Sequence, residues 1–405
     1  MQAILRVITM LQRNVQEEGP VKPVHNQLED RDMTLKQVLL STAAAGLLAM
    51  PAVAQDLDAM SAQELLPLAQ EEGTVTVYSF TSRIAAVEAA FEARYPGIDL
   101  VGYDASSTEQ IARLRAESAA GIASADVVYI SDAPVVLSEL LETGLIEAYV
   151  PPRMSDLLPK EFKSPLLAQR LSTKVLMYNE EANPDGAPVD NLWDLTRDEW
   201  SGRVVMVDPL QRGDYLDLMV EFVLRSEEMA AAYEAEFGVP VTLDPGVEKA
   251  GIQFITDLFA NDIVLVSSTD DVNAAIGSMG QSNPPVGFTS YSDRRDNEDE
   301  GWALQVANDV TPSNGIIFPA LLALAADAGH PAAARLAIDF LMGDDSETGG
   351  DGFAPFYVAG DYATRTDIVS HPDAVPLKDF SAWRIVPAAT AEIRQDVADT
   401  ILILQ

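Results

Sequence analysis

Hydroxyl-bearing and basic side chains recur in this sequence wherever an apolar, strand-like run ends. After the first run stand Ser79, Thr81, Ser82 and Arg83, after the second Ser106, Ser107 and Thr108, and after the third Ser131 and Asp132. Later in the chain come Gln211, Arg212, Gly213, Asp214 and Tyr215, then Thr269 and Asp270, then Ser290, Tyr291, Ser292 and Arg294. One such serine alone is an ordinary helix cap. Recurring at successive strand ends, hydroxyls, backbone N–H groups and guanidiniums have the chemistry of a clamp on a small anion, because in open α/β sheets strand C-termini and helix N-termini converge on a crevice. Asp132, Asp214, Asp270 and Asp271 add acceptors for ligand hydroxyls or amines. Phe80, Tyr215 and Tyr291 are placed to wall in an organic body.

The elements that must carry this set alternate between strand and helix. The pattern predicts a strand over 74–79, a helix over 84–95 with Ile84, Val87 and Phe91 on one face, and a strand over 98–103. A helix over 108–120, capped by Ser107 or Thr108, a strand over 125–130 and a helix near 135–142 that closes at Gly144 complete a parallel α/β layer. A second block has a strand over 174–179, a short helical segment at 193–195, a strand over 202–209, helices over 215–224 and 247–259, and strands near 263–267 and 286–289. Within 311–343 the reading is a loop followed by two helices, 321–326 and 332–341.

At the N-terminus, Lys36, an apolar run over 38–50 and Ala52-Val53-Ala54 before Gln55 read as a secretory signal peptide cleaved after Ala54. Met33 is then the start and residues 1–32 an upstream extension, and the mature protein is expected in the periplasm. About 350 residues remain, enough for two domains with their own cores. With no cysteine there is no disulfide framework, thiolate metal site, cysteine nucleophile or lipidated anchor. The 63 acidic against 26 basic residues, a formal charge of −37, exclude nucleic acid and anionic membrane as natural partners. They do not exclude an anionic ligand, since a cleft can carry local cations and helix N-termini against the global field.

Catalytic signatures are missing from the sequence. There is no G-x-S-x-G elbow, P-loop, histidine beside a serine or metal-ligand spacing, and His25, His330 and His371 stand apart. Asp270-Asp271 and Asp344-Asp345 are adjacent pairs, and adjacency alone does not build an acid/base couple. The reading is a binding protein, not an enzyme, with no cofactor.

Several stretches, in this order, resemble one family: Val75-Thr76-Val77-Tyr78-Ser79, Ala125-Asp126-Val127-Val128-Tyr129, Gly144-Leu145-Ile146, Val175-Leu176-Met177-Tyr178-Asn179, and Trp193-Asp194-Leu195 with Trp200-Ser201-Gly202-Arg203-Val204. They are similar to extracellular solute-binding proteins of bacterial ABC importers, in the ferric-binding-protein-like branch. The segment 330–341 is similar to that family's late lobe helix. The resemblance implies an α/β, two-lobed type II periplasmic binding protein fold with a ligand cleft between the lobes. Lobe 1 is expected over 55–171 plus about 304–343, and lobe 2 over about 172–303 plus 344–405. The chain would cross near 172–178 and return near 301–306. It implies a monomer that closes on its ligand and docks to an inner-membrane ABC permease. A role as a ligand-sensing partner of a membrane receptor uses the same surface and stays open.

Ferric-binding members of the branch hold iron with a histidine, a glutamate and two adjacent tyrosines. Here the corresponding positions read Ser82, Ser131 beside Asp132, and Tyr291-Ser292. At most one iron ligand survives, so ferric uptake is the alternative. The favoured expectation is a small phosphorylated or carboxylated anion held by Ser79, Thr81, Ser82, Arg83, Ser107, Thr108, Ser131, Asp132, Arg212 and Tyr291.

Overall fold

A computed structural model describes residues 56–405, so the signal peptide and its cleavage after Ala54 lie outside the described residues. Strand β1 (Thr74–Ser79) buries Val75 and Val77 while Thr74 and Thr76 stay half-exposed, the alternation that its sequence shows. Helix α2 (Ile84–Arg94), which follows α1 (Ala62–Glu72), buries Ile84, Val87 and Phe91 against the sheet. Strand β2 (Asp99–Asp104), α3 (Ser107–Ala120) and β3 (Val127–Ile130) follow, with β2 and β3 flanking β1 in parallel register. Parallel neighbours need crossover connections, which α2 and α3 supply. Helix α3 closes on Gly121, whose φ of 67° is a left-handed cap conformation open to glycine.

Two long strands join this layer to the second. Strand β4 (Leu167–Asn179) has all 13 residues buried. The second half is carried by β5 (Val204–Val207), β6 (Val264–Val266) and β7 (Val286–Thr289), and the return strand is β8 (Gly315–Ala325). The order is β2-β1-β3-β8-β4-β7-β5-β6, with β8 antiparallel to both β3 and β4. Residues 321–325, expected as a helix, are therefore the end of a strand. Ile316 to Leu324 are apolar on both faces because both faces are covered, which erases the period that separates strand from helix.

One core collects Val75, Val77, Phe91, Leu100 and Leu322 with α8 (Pro331–Leu341). The other centres on Trp193, Phe222, Phe254 and Phe288, between α4 (Gly213–Leu224), α6 (Ala250–Ala260) and the second half of the sheet. Trp193 is fully buried, donates its indole N–H to the Met229 carbonyl at 2.9 Å, and meets Phe254 edge-on. Helices α5 (Ser226–Phe237), α7 (Thr269–Gly277) and α9 (Pro387–Leu404) complete the set. Among the described residues no helix is long and apolar enough to cross a membrane.

The crossings differ in detail from the expectation. Leu304–Val306 still pairs with Met177–Asn179 at the far end of β4, and the chain recrosses later, along β8. Residues 344–405 divide between the cores. Phe353 and Phe356 join the first, Tyr362 and Ala363 pair with Leu171 and Arg170 of β4, and α9 lies on α4.

Candidate functional site: a cationic cleft between the lobes

The ends of β1, β2, β5, β6 and β7 open on one cleft of about 480 Å³. Thr81, Ser82, Arg83, Thr108 and Arg212 line it, as do Phe80, Asp214 and Asp270. Ser106, Gln211, Thr269, Ser290 and Ser292 line it too, whereas several other expected residues stand behind or away from its wall. Ser79 is fully buried and its hydroxyl accepts from the Thr81 N–H and donates to the Thr81 carbonyl, which shapes the turn. Ser107 and Ser131 share a hydroxyl–hydroxyl hydrogen bond of 2.9 Å beneath the surface. Tyr291 is stacked on Phe380 and donates its hydroxyl to the Asp373 carbonyl at 3.2 Å. Asp132 is buried against Arg394, on α9. Arg294 donates to the Leu304 carbonyl, and its neighbour Arg295 lines the cleft instead.

Four helices start at the cleft rim. The cap of α3 is Ser106, not Ser107 or Thr108: its hydroxyl accepts from the Glu109 N–H, and the Glu109 carboxylate accepts from Ser106 N. Ser268 caps α7. Helices α2 and α4, preceded by Arg83 and Arg212, have no side-chain cap. Ser106→Ala is expected to cost about 1 kcal/mol, seen as a lower urea midpoint at unchanged slope. An unchanged midpoint would show the capping box to be idle.

Several cleft residues escaped the sequence reading, Arg295 and three on one strand among them. Arg170, Ser172 and Lys174 lie on one face of β4 and point into the cleft. Their signal is Arg170, Ser172 and Lys174 at every second position, which the strand period would have placed on one face. Arg170 is completely buried, its guanidinium above the Phe356 ring at 4.5 Å, with Nε 3.1 Å from Asp361. Arg83 reaches the same Asp361 oxygen at 2.7 Å. Burial pushes Arg170 down to about 9, opposed by Asp361, so it is still cationic at neutral pH. Burial also raises Asp361, but Arg170 and Arg83 outweigh it and hold the carboxyl below the usual range.

The second-lobe side repeats the arrangement. Lys174 donates to the Ser290 hydroxyl at 2.6 Å and lies 3.2 Å from Asp214, while Arg212 grips both oxygens of Asp214. Against the cost of burial, Arg212 and Lys174 keep Asp214 well below the ordinary carboxylate range. Arg295 is held by Asp293 and Asp296, each at 2.9 Å. Five of the chain's 26 basic side chains thus line one cleft of a protein of net charge −37.

Among solved structures, iron-bound HitA from Pseudomonas aeruginosa is similar at 18% identity and a TM-score of 0.62, over 82% of this chain and 99% of that one. AfuA from Actinobacillus pleuropneumoniae, with fructose-6-phosphate bound, matches at 18% identity, a TM-score of 0.61, and 82% and 97% coverage. A substrate-binding protein of an Agrobacterium tumefaciens ABC transporter matches at 16%, with a TM-score of 0.61 and 82% and 94% coverage. At these identities the likeness establishes the fold, that of two-lobed periplasmic binding proteins. No curated protein sequence matches the chain. Residues 76–348 match the bacterial extracellular solute-binding protein family, and with this fold and an interlobe cleft the chain belongs to that family.

Proposed function

We propose that the protein is the substrate-binding component of an ABC importer, working in the periplasm, and that it takes up a small phosphorylated or carboxylated organic anion and hands it to the permease. The observation that carries this reading is the concentration of Arg83, Arg170, Lys174, Arg212 and Arg295 on one cleft against so acidic a background. Buried cations with hydroxyls and helix N-termini beside them recognise phosphoryl and carboxylate groups by charge-assisted hydrogen bonds.

Ferric ion fits these residues less well. Hard Fe(III) needs several anionic oxygens, whereas the Tyr291 hydroxyl is engaged with the Asp373 carbonyl and Asp293 is engaged by Arg295 and Asn273. Of the acids in the lining, Asp214 and Asp293 are already paired with Arg212, Lys174 and Arg295.

A thermal-shift screen tests the proposal, with sugar phosphates, phosphonates and small carboxylates against ferric salts. A ligand at about a hundred times its Kd adds roughly 2.7 kcal/mol to the folded state. Stabilisation by an organic anion, weakened at least about tenfold in Arg212→Ala, is the expected result, since a charge-assisted hydrogen bond is worth about 1.5–3 kcal/mol. Stabilisation by iron alone would overturn it.

A further inference from the structure

The cations of the cleft fall into two groups with the same construction. Arg83 and Arg170 share one buried carboxylate, Asp361, and Lys174 and Arg212 share another, Asp214. Each group sets two cations against the one carboxylate they share, while Asp104, Glu109 and Asp270 also line the cleft. Arg295 differs, because Asp293 and Asp296 already neutralise it.

Both groups also have unused donors. Arg170 is wholly buried, and while its Nε faces Asp361 at 3.1 Å, its Nη2 has no partner within the protein. A buried guanidinium with open donors at a cavity wall needs an acceptor from outside. The Lys174 ammonium has three donors, of which Ser290 and Asp214 engage two. Of the four helices that start at the cleft rim, α2 and α4 lack a side-chain cap and begin at Arg83 and Arg212, so one positive helix end faces each group.

The two groups are anchored at separate points along the cleft. Arg170 and Lys174 stand four residues apart on one face of β4, about 13 Å between Cα atoms at roughly 3.3 Å per residue. Ser172 projects from the same face between them. We propose that the ligand carries two acidic groups, one held by Arg83 and Arg170 and the other by Lys174 and Arg212, with its polar middle over Ser172. This rests on the anion reading above and narrows it to two-headed acids, either dicarboxylates or phosphorylated carboxylic acids. Binding at both heads ties the α2 side of the cleft to the α4 side, so that lobe closure requires the second acid.

The test is isothermal titration of the intact protein with a graded series of straight-chain dicarboxylates and phosphocarboxylates. Each is paired with the monoacid of equal length, and inorganic phosphate serves as the compact control. The best two-headed acid is expected to bind at least about tenfold tighter than its monoacid. Arg83→Gln and Arg212→Gln should each bring it down to the monoacid level. Monoacids or phosphate binding as tightly as every two-headed acid would overturn the inference and leave the anion reading standing. If no anion binds while an uncharged or cationic solute does, the anion reading itself falls, and the inference with it. The wild-type comparison decides the matter even where a variant does not fold.

Discussion

Asp361→Asn is expected to lower stability at neutral pH by about 3–5 kcal/mol, the usual consequence of leaving buried charge without its partner. The substitution keeps the volume and removes the only carboxylate that Arg83 and Arg170 share, inside a site where Arg170 has no exposure to water. Urea unfolding should show a lower midpoint with an unchanged slope. Because the folded-state value of Asp361 is depressed, its contribution is present above the unfolded value of about 3.9 and disappears as pH falls through the folded one. The gap between wild type and variant should therefore close below about pH 4. A loss under about 1 kcal/mol at neutral pH would show that water already screens the pair as it does on a surface.

Arg394→Met should cost a similar 3–5 kcal/mol with a different pH window. Arg394 reaches Asp217 on α4 at 2.8 Å and Asp132, beyond β3, at 3.0 Å, so the last helix fastens both lobes through one guanidinium between two buried acids. Burial pushes both carboxyls up, and for Asp217 the nearby Asp132 adds to the rise. Groups with raised values favour the fold when protonated, and that advantage is lost as pH rises through the folded value. In the variant the penalty should be greatest at neutral and alkaline pH and should already shrink on mild acidification above about pH 4. A penalty independent of pH between 4 and 7, roughly, would mean that the two acids stay ionised without Arg394.

The first α/β layer was legible because each element hides one face and shows the other. Strand β1 has its alternation, and α2 repeats Ile84, Val87 and Phe91 at helical spacing. Helix α5 was missed because it buries only Met229 and Ala232, too few apolar positions to mark a stripe, and α1 holds Pro67 in its interior. The second half of β8 was misread because it is covered on both sides. The site divides along similar lines. Thr81, Ser82 and Arg212 occupy turns after strands and Thr108 the first turn of α3, where type and place agree with a role in the cleft. Ser107, Ser131 and Tyr291 have the same types and places, and only side-chain direction sets them apart. The partnership of Arg83 with Asp361, 278 residues apart, leaves no local pattern. Arg170 and Lys174 contradict the usual exposure of charge, and that contradiction itself marks a functional position.

Strand β4 belongs to both halves of the sheet and also bears two of the residues that face the ligand. Relatives that diverge toward new solutes cannot alter Arg170 or Lys174 without disturbing one of the two strands that join the lobes. Ser82 in the turn after β1, and Thr108 and Thr269 in the first turns of α3 and α7, stand outside the strands, where exchange leaves the ladder intact. Divergence of this lineage should accordingly conserve the charge of the strand and vary the hydroxyls of the turns, keeping a class of solute while changing the member of it.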